Sequence, residues 1–214
     1  MNIELQRVAP AEIEARSMEI IESELPHPLA PENAAVIKRV IHTSADFDYA
    51  DNLVFSPGAA ARGVEALKGG CSIVTDTKMA MAGINKGVLA KFGGEVLNFI
   101  SDPEVAAEAR ARGVTRAAVS MEKAAGLRRP LVFAIGNAPT ALVALYQLLE
   151  EGKLVRPALI IGVPVGFVNV VESKELILTL DVPHIVARGR KGGSNVAAAI
   201  CNAVLYQASN NLRE

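Results

Sequence analysis

The residues best suited to chemistry lie in a few polar or glycine-rich stretches of an otherwise apolar chain. The first is HTSADFDYADNLVFSPGA, from His42 to Ala59, which combines a histidine with Thr43, Ser44 and three aspartates, Asp46, Asp48 and Asp51. An imidazole titrates nearest neutrality, so His42 is the side chain here best fitted to give or take a proton. The other histidines, His27 beside two prolines and His184 at a strand start, read as structural. The second stretch, TDTKMAMAGINK from Thr75 to Lys86, puts Asp76, Thr77 and Lys78 at a strand-to-helix corner. Backbone N–H groups and a cation could hold an anion there, and an ordinary Asp/Thr helix cap accounts for the same residues equally well. Met79 and Met81 suit core or cavity-lining positions.

A third stretch, GVTRAAVSMEKAAGLRRP, reads as a basic loop with Arg116, Lys123, Arg128 and Arg129. It is either a solvated face or a partner for carboxylates, which arginine can bind bidentately. IGNAPTAL, from Ile135 to Leu142, marks a strand ending in Gly-Asn with a helix after Pro139. ARGRKGGSNVAAA, from Ala187 to Ala199, joins three cations to closely spaced glycines just before a helix starting at Ser194, and resembles an anion cradle physically. Ser17 shares a helical face with Ile13, Ile20 and Ile21. It either bonds back to the carbonyl one turn earlier or lines a ligand cavity.

Other chemistries lack their signatures. There is no G-x-x-x-x-G-K-[ST], no strand-linked G-x-G-x-x-G, no G-x-S-x-G and no H-E-x-x-H. Cys71 and Cys201 have no neighbouring Cys or His at ligand spacing and read as buried structural thiols. Neither a metal nor a cofactor is therefore expected.

Periodicity supplies the elements that must position these groups. Helices are predicted from Pro10 to about Glu24 and from Pro31 to about His42, the latter with Val36, Ile37, Val40 and Ile41 as its apolar stripe. Projected onto that helix, His42 falls opposite the stripe, near Lys38. It is then either a solvated histidine ending a helix or an acid/base group facing a cleft or a second subunit. The helix C-terminus favours its imidazolium, and Lys38 and Arg39 oppose it.

Strands are predicted at Leu53–Phe55, Cys71–Thr75, Val96–Ile100, Leu131–Ile135, Ala158–Val163 and His184–Ala187, and further helices at Asp102–Arg112, Ala138–Glu151 and Ser194 to about Gln207. Strands written as short apolar blocks are buried on both faces. Alternation with helices then implies one three-layer α/β domain over residues 1–214, with a largely parallel sheet and helices on both faces.

The chain has 214 residues, 50% of them hydrophobic, with mean hydropathy +0.28 and net charge −1. That excludes a disordered chain and offers no global charge for nucleic acid or an acidic membrane surface. No apolar stretch reaches the ~20 residues that cross a bilayer, and the acidic start lacks a secretory layout. The expectation is a cytoplasmic protein.

In order along the chain, RSMEIIESEL, VIKRVIHTSADFDYADNLVFSPGA, GVEALKGGCSIVTDTKMAMAGI, GVTRAAVSMEKA, GNAPTALVALYQLLEEGKLVRPALIIGVPVGFVNVVESKE and GRKGGSNVAAAICNAVLY resemble the precorrin-8X methylmutase family, including its cobalt-precorrin-8 branch. His-Thr-x-x-Asp-Phe-Asp, GNAPTAL, PVGFVNVVESK and GRKGGS carry the most specific part of the match. The resemblance implies an isomerase that moves a methyl group from C11 to C12 of a corrin macrocycle, a flavodoxin-like architecture, no cofactor, and a homodimer binding its tetrapyrrole near the subunit interface. It maps the family histidine onto His42 and the substrate-binding serine onto Ser17, and extends binding roles to Thr43, Lys78, Met79 and Arg116. The competing readings are a non-catalytic tetrapyrrole carrier and, more distantly, a domain holding a nucleotide or phosphorylated metabolite on the GRKGGS loop.

Overall fold

The computed structural model describes residues 8–210. Six strands form one sheet: β1 (Leu53–Phe55), β2 (Ile73–Thr75), β3 (Val96–Leu97), β4 (Val132–Ile135), β5 (Leu159–Gly162) and β6 (His184–Ala187), in the spatial order β1-β6-β5-β4-β2-β3. All neighbours are parallel except β1, which runs antiparallel to β6 with Leu53 opposite Ala187. Without β1, the order is the flavodoxin-like 2-1-3-4-5, whose connections change direction between β2 and β4.

The continuous apolar blocks are buried on both faces, as their composition requires. Successive residues alternate between two cores: Val132, Ala134, Leu159 and Ile161 face one, and Phe133, Ile135 and Ile160 the other. Each fully buried Ile, Leu or Phe contributes about 1.5–3 kcal/mol of transfer free energy.

The first layer holds α1 (Ile13–Glu24), α2 (Pro31–Ser44), α3 (Tyr49–Asn52), α4 (Ala59–Lys68), α5 (Lys78–Gly83), α6 (Lys86–Lys91) and the central α11 (Ser194–Ala208). The second holds α8 (Arg116–Ala125), α9 (Pro139–Glu150) and α10 (Val170–Leu178), with α7 (Pro103–Arg112) packed on α8. α11 contacts α2, α4 and α5 as well as the sheet, which is why its sequence is almost all small and apolar. A Cβ on Gly63 of α4 would meet the Leu159 and Val204 side chains at 2.9 and 3.1 Å, so only glycine admits this approach.

Three expectations need correction. The stretch 113–130 is not a basic loop. Thr115 caps Ala118 N–H, and Ala117, Ser120, Met121 and Ala124 turn inward to make α8, with Arg116 and Lys123 on its outer side. β3 stops at Leu97 instead of Ile100, because Asn98 turns back to donate to the Thr75 carbonyl and hydroxyl at 2.9 and 3.1 Å. The face predicted for α1 is split: Ile21 is buried, whereas Ile13 and Ile20 remain exposed on either side of Ser17. A 3-10 turn, Pro10–Glu12, opens that helix.

Candidate functional site

The loops after β2, β4, β5 and β6 meet at the carboxyl edge of the sheet, and the segment between α2 and β1 joins them because β1 begins beside the end of β6. Polar links lock this edge together. Asp76, almost fully buried, accepts the N–H groups of Gly136, Asn137 and Ala138 at 2.9, 2.8 and 2.7 Å. Burial pushes its carboxyl above the ordinary value, and those three hydrogen bonds pull against it. Thr77 Oγ1 lies 2.8 Å from Ser194 Oγ while capping Ala80 N–H of α5. Gly193 N–H donates to the Val163 carbonyl. Gly192, at φ +156°, runs so close to Val163 that a Cβ would sit 2.1 Å from its carbonyl oxygen. Lys191 Nζ reaches across to Asp46 and Asp48 at 2.7 and 2.6 Å.

His42 occupies the last turn of α2, which ends on a left-handed Ala45. Val36, Ile37, Val40 and Ile41 are buried as predicted, and the imidazole projects to the surface on the other side. Among the described residues its ring makes no hydrogen bond. The other two histidines are committed: His27 pairs with Asp51 at 2.8 Å, and His184 Nδ1 contacts the Val182 carbonyl at 3.0 Å. Partial burial, the larger cause, and the nearby Arg39 guanidinium hold the pKa of His42 below its ordinary 6.5. Arg39 is itself anchored by Glu14 of α1 and by the face of Tyr206. In Arg39→Met the NMR titration midpoint of the His42 ring is expected to rise, because removing the cation favours imidazolium. An unchanged midpoint would leave burial as the sole cause.

The geometry is matched by known proteins. The precorrin-8X methylmutase (CbiC) family model aligns with residues 12–207. The chain belongs to the precorrin-8X methylmutase family. It is 45% identical to the cobalt-precorrin-8 methylmutase of Priestia megaterium, over 96% of this chain and 91% of that protein. Identity to the cobalt-precorrin-8 methylmutase of Salmonella typhimurium is 50%, over 83% and 82% respectively. A solved structure of the precorrin-8X methylmutase from Thermus thermophilus superposes with a TM-score of 0.85 at 39% identity, covering 93% of this chain and 98% of that one. Methylmutases are isomerases of cobalamin biosynthesis, and this chain is an isomerase of that type.

Seen as a methylmutase, the chain distributes its predicted site residues unevenly. Thr43 is exposed beside His42, and Lys78 and Met79 open α5 on the same sheet edge, Met79 with 70% of its surface exposed. Arg116 begins α8 in the second layer. Ser17 is half-buried and its hydroxyl donates to the Ile13 carbonyl at 2.9 Å, the simpler of the two readings for it. With Val8, Ile13, Arg16 and Ile20 it lines a shallow cavity of about 320 Å³.

The three cations expected to form an anion cradle are engaged elsewhere: Arg188 pairs with Glu175, Lys191 with Asp46 and Asp48, and Arg190 stacks over Phe167 at 5.5 Å. At the β2/β4 switch the N–H groups that would hold a phosphate are taken by Asp76, which argues against a nucleotide reading. Cys201 is buried as predicted, but Cys71 is only half-buried. A cavity of about 1260 Å³ is an open groove between α8 and α9 that includes none of the six predicted residues. No helix among the described residues is long and apolar enough to cross a membrane.

Sequence reading did not anticipate the apolar rim of this edge. The loop after β5 exposes Val165, Phe167 and Val168, the last two by 82% and 77%. The PVGFVNVV run signals this by placing large apolar residues around a glycine where a polar turn would be usual.

Proposed function

We propose that this methylmutase moves a methyl group from C11 to C12 of precorrin-8X or cobalt-precorrin-8, giving hydrogenobyrinate or cobyrinate, with His42 as proton donor and acceptor. The observation that carries this reading is the imidazole of His42, without a hydrogen bond among the described residues and surface-facing on a helix whose opposite face is buried. A methyl shift within one molecule breaks the C11–methyl bond and forms the C12–methyl bond with no net oxidation. It needs a proton placed on the conjugated system and later returned, and a surface that holds the reactive conformer.

The substrate is a large apolar ring fringed with carboxylates. Met79, Val165, Phe167 and Val168 supply exposed apolar area at the carboxyl edge, and Lys78 and Thr43 supply donors beside it. Ser17 and Arg116 lie on other elements, and their binding roles rest on the family resemblance. The exposed Ile13–Ser17–Ile20 stripe on α1 is the surface a second copy would cover in a homodimer. Light scattering at twice the chain mass is the corresponding observation.

Single-turnover absorbance with metal-free and with cobalt-loaded substrate tests the proposal. Conversion of at least one of them to the corrin spectrum is expected, and the faster one identifies the branch. Stoichiometric binding with no conversion of either would replace the isomerase with a tetrapyrrole carrier.

A further inference from the structure

Lys174 is a cation that the reaction outlined above leaves unused. It lies in α10, fully buried, and its ammonium donates to two backbone carbonyls, those of Gly189 at 2.7 Å and Lys191 at 2.8 Å. Among the described residues no carboxylate offsets its charge, and burial pushes its pKa down to about 8. Filling that space would be cheaper with Met or Leu, since a desolvated ammonium costs free energy that an apolar side chain does not. What the ammonium adds is a fixed path for the 188–193 loop.

That path matters on the outer side of the loop. The residue whose carbonyl Lys174 holds, Lys191, sends its own side chain to Asp46 and Asp48. Asp46 is two residues past the end of α2, its N–H donates to Ser44 Oγ, and its Oδ1 accepts Asp48 N–H. The same loop accepts Gly166 N–H at the Arg190 carbonyl and sets Arg190 over Phe167. One buried ammonium thus underlies a loop that touches both the turn after His42 and the apolar rim.

We propose that Lys174 is a positioning residue: by holding the Gly189 and Lys191 carbonyls it aims Lys191 at Asp46 and Asp48 and so fixes the end of α2 that presents His42. The inference rests on the reading of His42 as the acid/base group. Its structural half, the link from Lys174 to the 42–52 segment, can be measured without turnover.

The test compares Lys174→Met, Lys191→Met and the double variant. Lys191 is exposed, so its variant is expected to fold. In both single variants amide hydrogen exchange across residues 42–52 should accelerate. kcat should fall about tenfold or more with a much smaller change in KM, because the loss is of alignment and not of contact. The double variant should be no slower than the slower single one, since both cut the same path.

Effects on kcat that multiply in the double variant, or wild-type exchange over 42–52 in a folded Lys174→Met, would overturn the proposal. If Lys174→Met does not fold, Lys191→Met decides alone, and wild-type exchange and kcat there overturn it equally. Full turnover by His42→Ala would overturn the acid/base reading instead, and the exchange result separates that failure from this one.

Discussion

His42→Ala is expected to lower kcat by about 10²–10⁴-fold, the usual worth of a positioned acid/base group, while the fold and tetrapyrrole binding survive. The side chain can be removed safely because it carries none of the structure. It is exposed, makes no hydrogen bond among the described residues, and projects away from the Val36–Ile41 stripe that seats α2. Alanine is also the better helix former. Circular dichroism and a melting curve should therefore match the parent, with the loss confined to the single-turnover rate.

The pH dependence follows from the lowered pKa. At pH 7 the imidazole is mostly neutral. If the imidazolium delivers the first proton, the rate climbs as pH falls toward the His42 midpoint and levels off below it. Arg39→Met, which raises that midpoint, should then speed the reaction at pH 7. A rate that instead rises with pH through the same midpoint would make the neutral imidazole, acting as base, the working form. Full turnover by His42→Ala would remove His42 from the mechanism altogether.

Asp76→Ala should be the most destabilising single change at this edge, on the order of 3–5 kcal/mol, and readable as a lower denaturant midpoint. Three N–H groups in the turn that leads into α9 lose their shared acceptor at once, that of Gly136 buried and those of Asn137 and Ala138 partly so, and a buried donor left without a partner costs about 1–3 kcal/mol. A domain of ordinary stability has about 5–15 kcal/mol in all. Asp76→Asn keeps the shape, but one end of its amide can only donate, so it should fall between the parent and alanine. A melt of Asp76→Ala indistinguishable from the parent would mean that water replaces the carboxylate. The role differs from that of His42: Asp76 stabilises the loop junction from beneath, and its loss should appear in stability before it appears in chemistry.

Local sequence carried a good deal of this. Apolar blocks located all six strands and implied double-sided burial, because a parallel strand covered by helices has no polar face to display. Proline at the start of α2, α7 and α9 marked helix starts, since its missing N–H is one the first turn does not need. The period of α2 put His42 off the buried stripe, where the structure places it. The ordered motifs identified the family from the sequence alone.

Helix α8 escaped because its charges dominate the text while its small residues, Ala117, Ser120 and Ala124, do the packing. Strand direction could not be read either: β1 is as apolar and short as the others, and only its pairing with β6 makes it antiparallel. The site depended still more on tertiary structure. Asp76 finds its three donors 60 to 62 positions later, and Lys191 finds Asp48 143 positions earlier. Burial of Lys174 comes from packing that its exposed-looking sequence, VVESKEL, does not suggest. The division has a physical basis: turn propensity and hydrophobic period act between neighbours along the chain, whereas a carboxylate or an ammonium takes whichever partners the sheet order brings within 3 Å. His42 was visible as a candidate from its type and its face; what holds it in place was decided by the fold.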